Sequence, residues 1–407
     1  MPVAITGSSM VSCLGGLDET FEALLAGRSG VSPLRTGDPD KLNVHYAYSI
    51  DDAGAASKGT ASGGPASTGR ASTGTGLGTD PASNDEAGPR SAGRWLAHCV
   101  AEALRDAGVD PAERRVAVIV GTGLREHRAV EQWHGDGAEL RLAQTHFTEA
   151  VRSVAPDVTE VHTLANACAA SGYALALAVD LLELGEADAV VAAGCDTMTE
   201  SMLTMIGRVG TTTADTVRPF DADRDGVLLG EGAVAVVVER TERTAKNRPA
   251  LGLVRGVGVG CDAHHETAPD LAGIVATMRD AHRRAGVAPG EIGLVVAHGT
   301  ATALNDPTEA AALVEAFGPD GPPVTGIKGA IGHTSGGAAL MSVLVALKAM
   351  RSGVVPPVVG LRTPIPEAEK LALVNGQPLR ARPRVAQVNA FGFGGVNAVT
   401  IVEAVDV

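Results

Sequence analysis

Leu164-Ala165-Asn166-Ala167-Cys168-Ala169-Ala170-Ser171-Gly172 opens an apolar run that continues to Leu184 and gives way, after Gly185 and Glu186, to a second run, Ala187–Ala193. Cys168–Leu184 is apolar around most of its circumference, which predicts a helix buried on several sides. Ala187–Ala193 is short and apolar apart from Asp188, as in a buried strand. A buried helix followed by a doubly covered strand is the unit of a layered α/β fold. The alternation extends outward. Val116–Gly121 and Ala233–Glu239 read as further buried strands, Val3–Thr6 as a first strand, and Glu19–Ala26 as an amphipathic helix. Trp95, Leu96, Val100, Ala103 and Leu104 mark one face of a helix ending near Gly108. After the polar stretch Thr241–Pro249 the pattern restarts. Strands are expected at Leu251–Val259, Gly293–Ala297, Val385–Asn389 and Ala398–Val402, and helices near Gly273–Ala285, Pro307–Ala316 and Gly336–Met350. Residues 1–245 and 250–407 thus run through a similar order of elements without a literal sequence repeat.

Composition bounds what such a chain does. Its 407 residues correspond to two or three domains of about 150 residues, or to one large duplicated unit. Hydrophobic residues make up 45% and mean hydropathy is +0.13, enough for a sizeable core. Lys and Arg number 33 against 47 Asp and Glu, a net charge of −14. That balance opposes non-specific binding to nucleic acid or an anionic membrane. Aromatic content of 3% leaves little for base-stacking platforms. Asp52–Gly93 is almost entirely small and polar, with Leu77 its only large aliphatic residue, and reads as a flexible surface excursion. Cys13, Cys99, Cys168, Cys195 and Cys261 are odd in number and form no CxxC pair, so a reducing compartment is expected. Met1–Gly7 lacks the basic start of a signal peptide, and no run is expected to reach the roughly 18 residues of a membrane span. A cytoplasmic protein is expected.

Four stretches carry candidate chemistry. Cys168 sits among small residues at the start of an apolar helix, where partial positive charge and free N–H groups lower a thiol pKa. A small core thiol fits that local pattern equally well. Ala297-His298-Gly299-Thr300-Ala301-Thr302 follows an apolar strand and places a His at the strand end where ligands of α/β sheets gather. Ile327-Lys328-Gly329-Ala330-Ile331-Gly332-His333 precedes a Gly/Ala-rich helix, and Asn389-Ala390-Phe391-Gly392-Phe393-Gly394-Gly395-Val396-Asn397 forms a Gly-rich turn between strands. One thiol among small residues and two imidazoles, each flanked by glycine, suit thioester chemistry. Cys261-Asp262-Ala263-His264-His265-Glu266 resembles a metal cluster in composition, but its donors lie too close in sequence to converge easily, and no metal site is expected.

Further motifs make the pattern specific: Ile5-Thr6-Gly7, Val11–Gly15, Ala23–Val31, Arg218–Gly226, Gly230–Ala233 and Asn305-Asp306-Pro307-Thr308-Glu309. With Asn166–Ser171, Lys328–His333 and Asn389–Asn397 they resemble the β-ketoacyl-acyl-carrier-protein synthases of the condensing-enzyme superfamily. The resemblance implies a thiolase-like α/β fold with a duplicated five-layer α-β-α-β-α architecture. It implies the elongating Cys-His-His type, with Cys168 as acyl-accepting nucleophile and His298 and His333 promoting decarboxylation. Lys328 matches the lysine ordering that pocket, and Glu309 the acidic residue after the first His, with Asp306 beside it. The backbone N–H groups of Cys168 and Phe391 match an oxyanion hole, and Phe391 also matches an aromatic gate. Thr300, Thr302, Thr267 and Phe393 fall where the family holds the phosphopantetheine arm. The implied partners are acyl carrier protein and a second subunit, either a copy of the chain or a related ketosynthase or chain-length factor. No metal or redox cofactor is implied.

The chain departs from that pattern at three places. Asp52–Gly93 replaces a charged helical region. Leu124–Leu164, which shapes the acyl pocket and dimer interface in the family, instead carries Arg125-Glu126-His127-Arg128 and Trp133-His134. Ser342 stands where many relatives have a Glu that supports the lysine. These departures resemble a dissociated synthase of specialised, polyketide-like metabolism. Related proteins include a non-condensing chain-length-factor-like subunit, which typically replaces the nucleophile, and acyltransferases that do not decarboxylate. Retention of Cys168, His298 and His333 favours the condensing form.

Overall fold

A computed structural model describes residues 3–51, 91–137, 139–209, 213–243 and 249–405. The sheet strands are β1 Val3–Ser12, β2 Val116–Thr122, β3 Glu160–Ala165, β4 Ala189–Asp196, β5 Gly232–Arg240, β6 Gly252–Cys261, β7 Leu294–Val296, β8 Val324–Thr325, β9 Val385–Gly392 and β10 Val396–Glu403. The principal helices are α1 Leu17–Leu25, α2 Ser91–Ala107, α3 His127–Asp136, α4 Ala170–Leu184, α5 Glu200–Val209, α6 Leu271–Ala285, α7 Asn305–Phe317 and α8 Ala338–Ser352.

The strands lie in the order β8-β7-β9-β10-β6-β1-β5-β4-β2-β3. Read outward from the centre, both halves follow one rule. β1 pairs antiparallel with β5, and β5 with β4, while β4, β2 and β3 run parallel. β6 pairs antiparallel with β10, and β10 with β9, while β9, β7 and β8 run parallel. Among the described residues, the sheet is continuous across the halves through Val3↔Val254, Ala4↔Leu253 and Ile5↔Gly252. The architecture is therefore duplicated although the residues are not.

Strand periodicity explains the layers. Val116, Val118 and Val120 of β2 face an outer core with Trp95, Leu96 and Val100 of α2. Ala117 and Ile119 face a central core with Leu175 of α4 and Leu344 of α8. Ala233, Ala235 and Val237 of β5 alternate with Val234, Val236 and Val238 in the same way. On the far side, Val399 and Ile401 of β10 pack with Ile274 and Met278 of α6. The result is α2, sheet, α4 with α8, sheet, and α6 with α7, because every strand must cover two faces. Gly172 lets α4 approach the second half, since a Cβ there would lie 2.6 Å from Ala398 Cβ.

Several expected bounds shift. Ser91–Gly93 belongs to α2 and is buried, so the small-residue excursion stops earlier; the rest of Asp52–Gly93 lies outside the described residues. Residues 167–184 are apolar enough by length and composition to cross a membrane, contrary to expectation, but α4 is packed in the central layer. β3, α3 and α5 have no counterpart in the sequence expectations.

Candidate active site

Cys168 lies in a three-residue 3-10 turn, Ala167–Ala169, between β3 and α4, rather than inside the helix. Ala167 holds φ 48°, a left-handed conformation that costs an alanine about 1 kcal/mol. The end of β9 presses on this turn: a Cβ at Gly392 would stand 3.1 Å from the Cys168 backbone nitrogen. Burial pushes the thiol up to about 11, while the Lys328 ammonium pulls it down, the Asp196 charge raises it, and the Phe393 backbone N–H lowers it. The resting group is a thiol. The Cys168 backbone N–H lowers it as well.

His298 follows β7 and is 3% exposed. Glu309 on α7 fixes its backbone, accepting from His298 N at 2.7 Å and Gly299 N at 2.8 Å. The same carboxylate accepts from Asn389 Nδ2 at 3.0 Å, tying β9 to this loop. Lys328 Nζ donates to the His298 carbonyl and reaches Nδ1 at 3.3 Å. A protonated lysine only donates, so Nδ1 is the bare nitrogen and Nε2 carries the proton. Burial, then the Lys328 charge, then His333 hold the His298 imidazole well below its ordinary pKa; burial and Lys328 do the same to His333. Both rings are neutral donors at pH 7. Burial lowers Lys328 to about 8, with Glu309, Cys168 and Asp306 opposing the shift.

The two imidazoles meet edge to face, ring centres 5.4 Å apart at 84°, and Phe391 lies 5.6 Å from His298. His333 is fixed through its backbone, donating to Leu228 O at 2.9 Å and accepting from Gly230 N at 3.0 Å. Its Nδ1 is buried without a partner. Cys168, His298, His333 and Phe391 line one cavity of about 370 Å³, together with Thr300, Thr302, Thr267 and Phe393. Thr300 and Thr302 share a hydroxyl contact of 3.0 Å. Lys328, Glu309 and Asp306 stand behind the cavity wall. Asp306 accepts from Phe220 N at 2.6 Å and from Thr300 N and Ala301 N at 3.1 Å, so it shapes the threonine loop. A second cavity of about 250 Å³ shares Thr267, Thr302 and Phe393 and runs past Arg224 and Leu304.

Three structural contributors escaped sequence reasoning. Asn389 was visible in its motif but had no assigned partner. Asn305 donates to Asp306 and Glu309 at 3.1 and 3.4 Å. Asp196 at the end of β4 accepts from Thr122 Oγ1 and Gly123 N, both at 2.7 Å, and from Gly336 N at 2.6 Å, joining the two halves beside the site. Ser342 is buried on α8, and the hydrogen bonds of Lys328 go to His298. In the Cys261–Glu266 stretch the side chains serve the loop: Cys261 Sγ donates to Gly394 O, and His265 Nδ1 accepts from Thr267 N and Ala268 N. A separate groove of about 470 Å³ between α4, β6 and α6 carries Arg255 and Glu403, which pair with each other.

Nodulation protein E of Rhizobium meliloti is 33% identical over 315 residues, 73% of this chain and 78% of its own. The mitochondrial 3-oxoacyl-[acyl-carrier-protein] synthase of Arabidopsis thaliana is 27% identical over 442 residues, 97% of this chain and 92% of its own. The ishigamide ketosynthase/chain length factor structure superposes with TM-score 0.83 at 29% identity, covering 100% of this chain and 99% of that one. The N-terminal domain model of β-ketoacyl synthases matches residues 1–244 and the C-terminal domain model residues 251–362, so the chain belongs to the β-ketoacyl synthase family and is an acyltransferase.

Proposed function

We propose that Cys168 accepts an acyl group from an acyl-carrier-protein thioester and that this group condenses with a malonyl-type extender on the same carrier, releasing CO2 and a β-ketoacyl thioester. The observation that supports this most is the convergence of Cys168, His298 and His333 on one cavity. In the first half-reaction the Cys168 sulfur attacks the thioester carbon. Its proton passes to the departing pantetheine sulfur, and a neutral imidazole is suited to carry it. The extender then loses CO2, and the electron pair of the broken C–C bond becomes an enolate. The Nε2–H of His298, with His333, stabilises the charge on the extender's thioester oxygen. The enolate carbon attacks the acyl-Cys168 carbonyl, the Cys168 sulfur leaves, and it takes one proton from water. The backbone N–H groups of Cys168 and Phe391 serve the oxyanion in both attacks. No electrons are exchanged, so the route calls for no redox cofactor, and decarboxylation supplies the driving force without a metal.

Thr300, Thr302, Thr267 and Phe393 are assigned to the phosphopantetheine arm, with the cavity past Leu304 as its approach. The chain is read as one member of a two-fold pair, with a copy of itself or with a related chain-length factor. The edge of β3, which among the described residues pairs only with β2, supports that reading. The likeness to the ishigamide ketosynthase/chain length factor supports a role in specialised metabolism. Cysteines that are all unpaired support a cytoplasmic setting.

Intact-mass analysis after incubation with acyl-carrier protein, followed by malonyl-carrier protein, tests the proposal. Wild type gains an acyl adduct and then releases β-ketoacyl product, while Cys168→Ala does neither. An adduct without product points to acyl transfer alone, and no adduct on wild type points to a non-condensing subunit.

A further inference from the structure

Strand β9 presents two faces. Ala386 and Val388 join the central core, while Val385 and Phe391 join the outer core beneath α6 and α7. Gln387 and Asn389 fall between those two on the outer face. Gln387 is 0% exposed, and its partner on α6, His282, is 6% exposed. The core between α6 and the sheet is built of residues such as Met278, Ala281 and Ile401, and the His282 ring leans on Phe317 with centres 5.8 Å apart. An amide and an imidazole in such a core are costly unless their polar atoms are paired.

The pairing runs in one direction. His298 N and Gly299 N donate to the two oxygens of Glu309. Asn389 Nδ2 donates to Glu309 Oε1 at 3.0 Å. Gln387 Nε2 donates to Asn389 Oδ1 at 2.8 Å. His282 Nε2 lies 2.6 Å from Gln387 Oε1. An amide oxygen only accepts, so the imidazole donates, and it does so whether the ring carries one proton or two. Either amide, turned over, would set oxygen against oxygen at one end and N–H against N–H at the other. His282 therefore fixes the sense of Gln387, Gln387 fixes the sense of Asn389, and Asn389 steadies the carboxylate that holds the His298 backbone.

We propose that His282 and Gln387, neither of which lines the cavity, are positioning residues for His298: they orient the Asn389 amide so that Glu309 keeps the His298–Gly299 backbone in the geometry that condensation needs. The inference rests on the decarboxylating role given to His298 above and adds two residues to it.

The test loads the full-length protein with octanoyl-pantetheine thioester and reads two rates. One is adduct formation on Cys168; the other is β-ketoacyl release from the preformed adduct with malonyl-carrier protein. Gln387→Met, which leaves Asn389 Oδ1 without its donor, lowers the second rate about tenfold and keeps the first within about twofold of wild type. His282→Leu, one link further out, lowers the second rate about threefold. His282→Gln keeps an N–H donor near the Nε2 position and restores that rate to within about twofold. The double variant His282→Leu/Gln387→Met is no slower than Gln387→Met alone, because His282 acts through Gln387. Ile274→Ala, in the same core but outside the chain of bonds, loses stability in urea and keeps the ratio of the two rates. The His282→Leu and His282→Gln pair decides alone if Gln387→Met does not fold. Unchanged product release in Gln387→Met, both rates falling together, losses that multiply in the double variant, or an equal shift of the ratio in Ile274→Ala overturns the assignment while wild-type condensation stands. A wild type that takes the adduct and releases no product overturns the condensing reading, and the positioning role with it.

Discussion

Helix α4, behind the nucleophile, and helix α8, behind His333, are both fifteen residues long and both start from a three-residue 3-10 turn. Each turn holds one non-glycine residue in the left-handed region, Ala167 at φ 48° and Ser335 at φ 45°. The likeness ends at burial. α8 buries twelve of its residues, whereas α4 buries seven and leaves Leu184 74% exposed. The duplication therefore supplies two similar helix starts aimed at one cavity, and the two halves use them differently. The more enclosed helix follows the imidazole that must not move. The partly open one follows the thiol that must receive a large substrate.

The sharpest way to break this comparison is to separate the half-reactions. His298→Ala and His333→Ala should still take an acyl adduct on Cys168, while β-ketoacyl product falls by about 10²–10³-fold, the usual loss for a transition-state donor. Loss of adduct formation in step with product would show that the two sides do not divide the work. The helices themselves should also differ. Leu344→Ala, at a site 1% exposed on α8, should cost about 3 kcal/mol in urea unfolding. Leu184→Ala on α4 should cost less than about 0.5 kcal/mol. Equal costs would mean that α4 is covered in solution on the face left open here.

pH offers a third contrast. The Lys328 ammonium, with its pKa lowered to about 8, is present below that pH and lost above it. Because it holds His298 as the Nε2–H donor, condensation should fall through pH 8, to about a tenth one unit higher. Acylation should instead rise with pH, because burial holds the Cys168 thiol near 11 and its thiolate fraction grows throughout. Lys328→Met should flatten the condensation limb and leave the acylation slope rising. Parallel profiles for the two half-reactions would remove Lys328 from the decarboxylating side.

The doubly covered strands were legible because burial on both faces forces continuous apolar runs such as Val116–Gly121. In the site, His298 and His333 were marked by an adjacent glycine, and eight of the eleven expected residues line one cavity, with Lys328, Glu309 and Asp306 behind it. What stayed hidden has physical causes. β3 lies at the sheet edge, and its exposed Glu160 and half-exposed Val161 erase the apolar signal. Asp196 and Asn389 act largely through contacts with residues far away in the chain, which no local pattern announces, whereas Asn305 bonds Asp306 and Glu309 within its own motif.

The finest test concerns the two left-handed residues. An alanine or serine there costs about 1 kcal/mol of backbone strain, whereas glycine costs none. Glycine also loosens the unfolded chain by about 0.5 kcal/mol, so Ala167→Gly and Ser335→Gly should each stabilise the fold by about 0.5 kcal/mol. Their kinetic consequences should diverge. At Ala167 the methyl group lies against Gly392, 3.3 Å from a Cβ built there, and helps fix the Cys168 turn. Its removal should slow acylation a fewfold while condensation of preformed acyl-enzyme is unchanged. At Ser335 the turn is already held by Asp196, which accepts from Gly336 N, so Ser335→Gly should leave both half-reactions within a factor of about two. If both glycine variants gain stability and neither changes acylation, the left-handed residue before the nucleophile is inherited geometry, and α4 and α8 differ in burial alone.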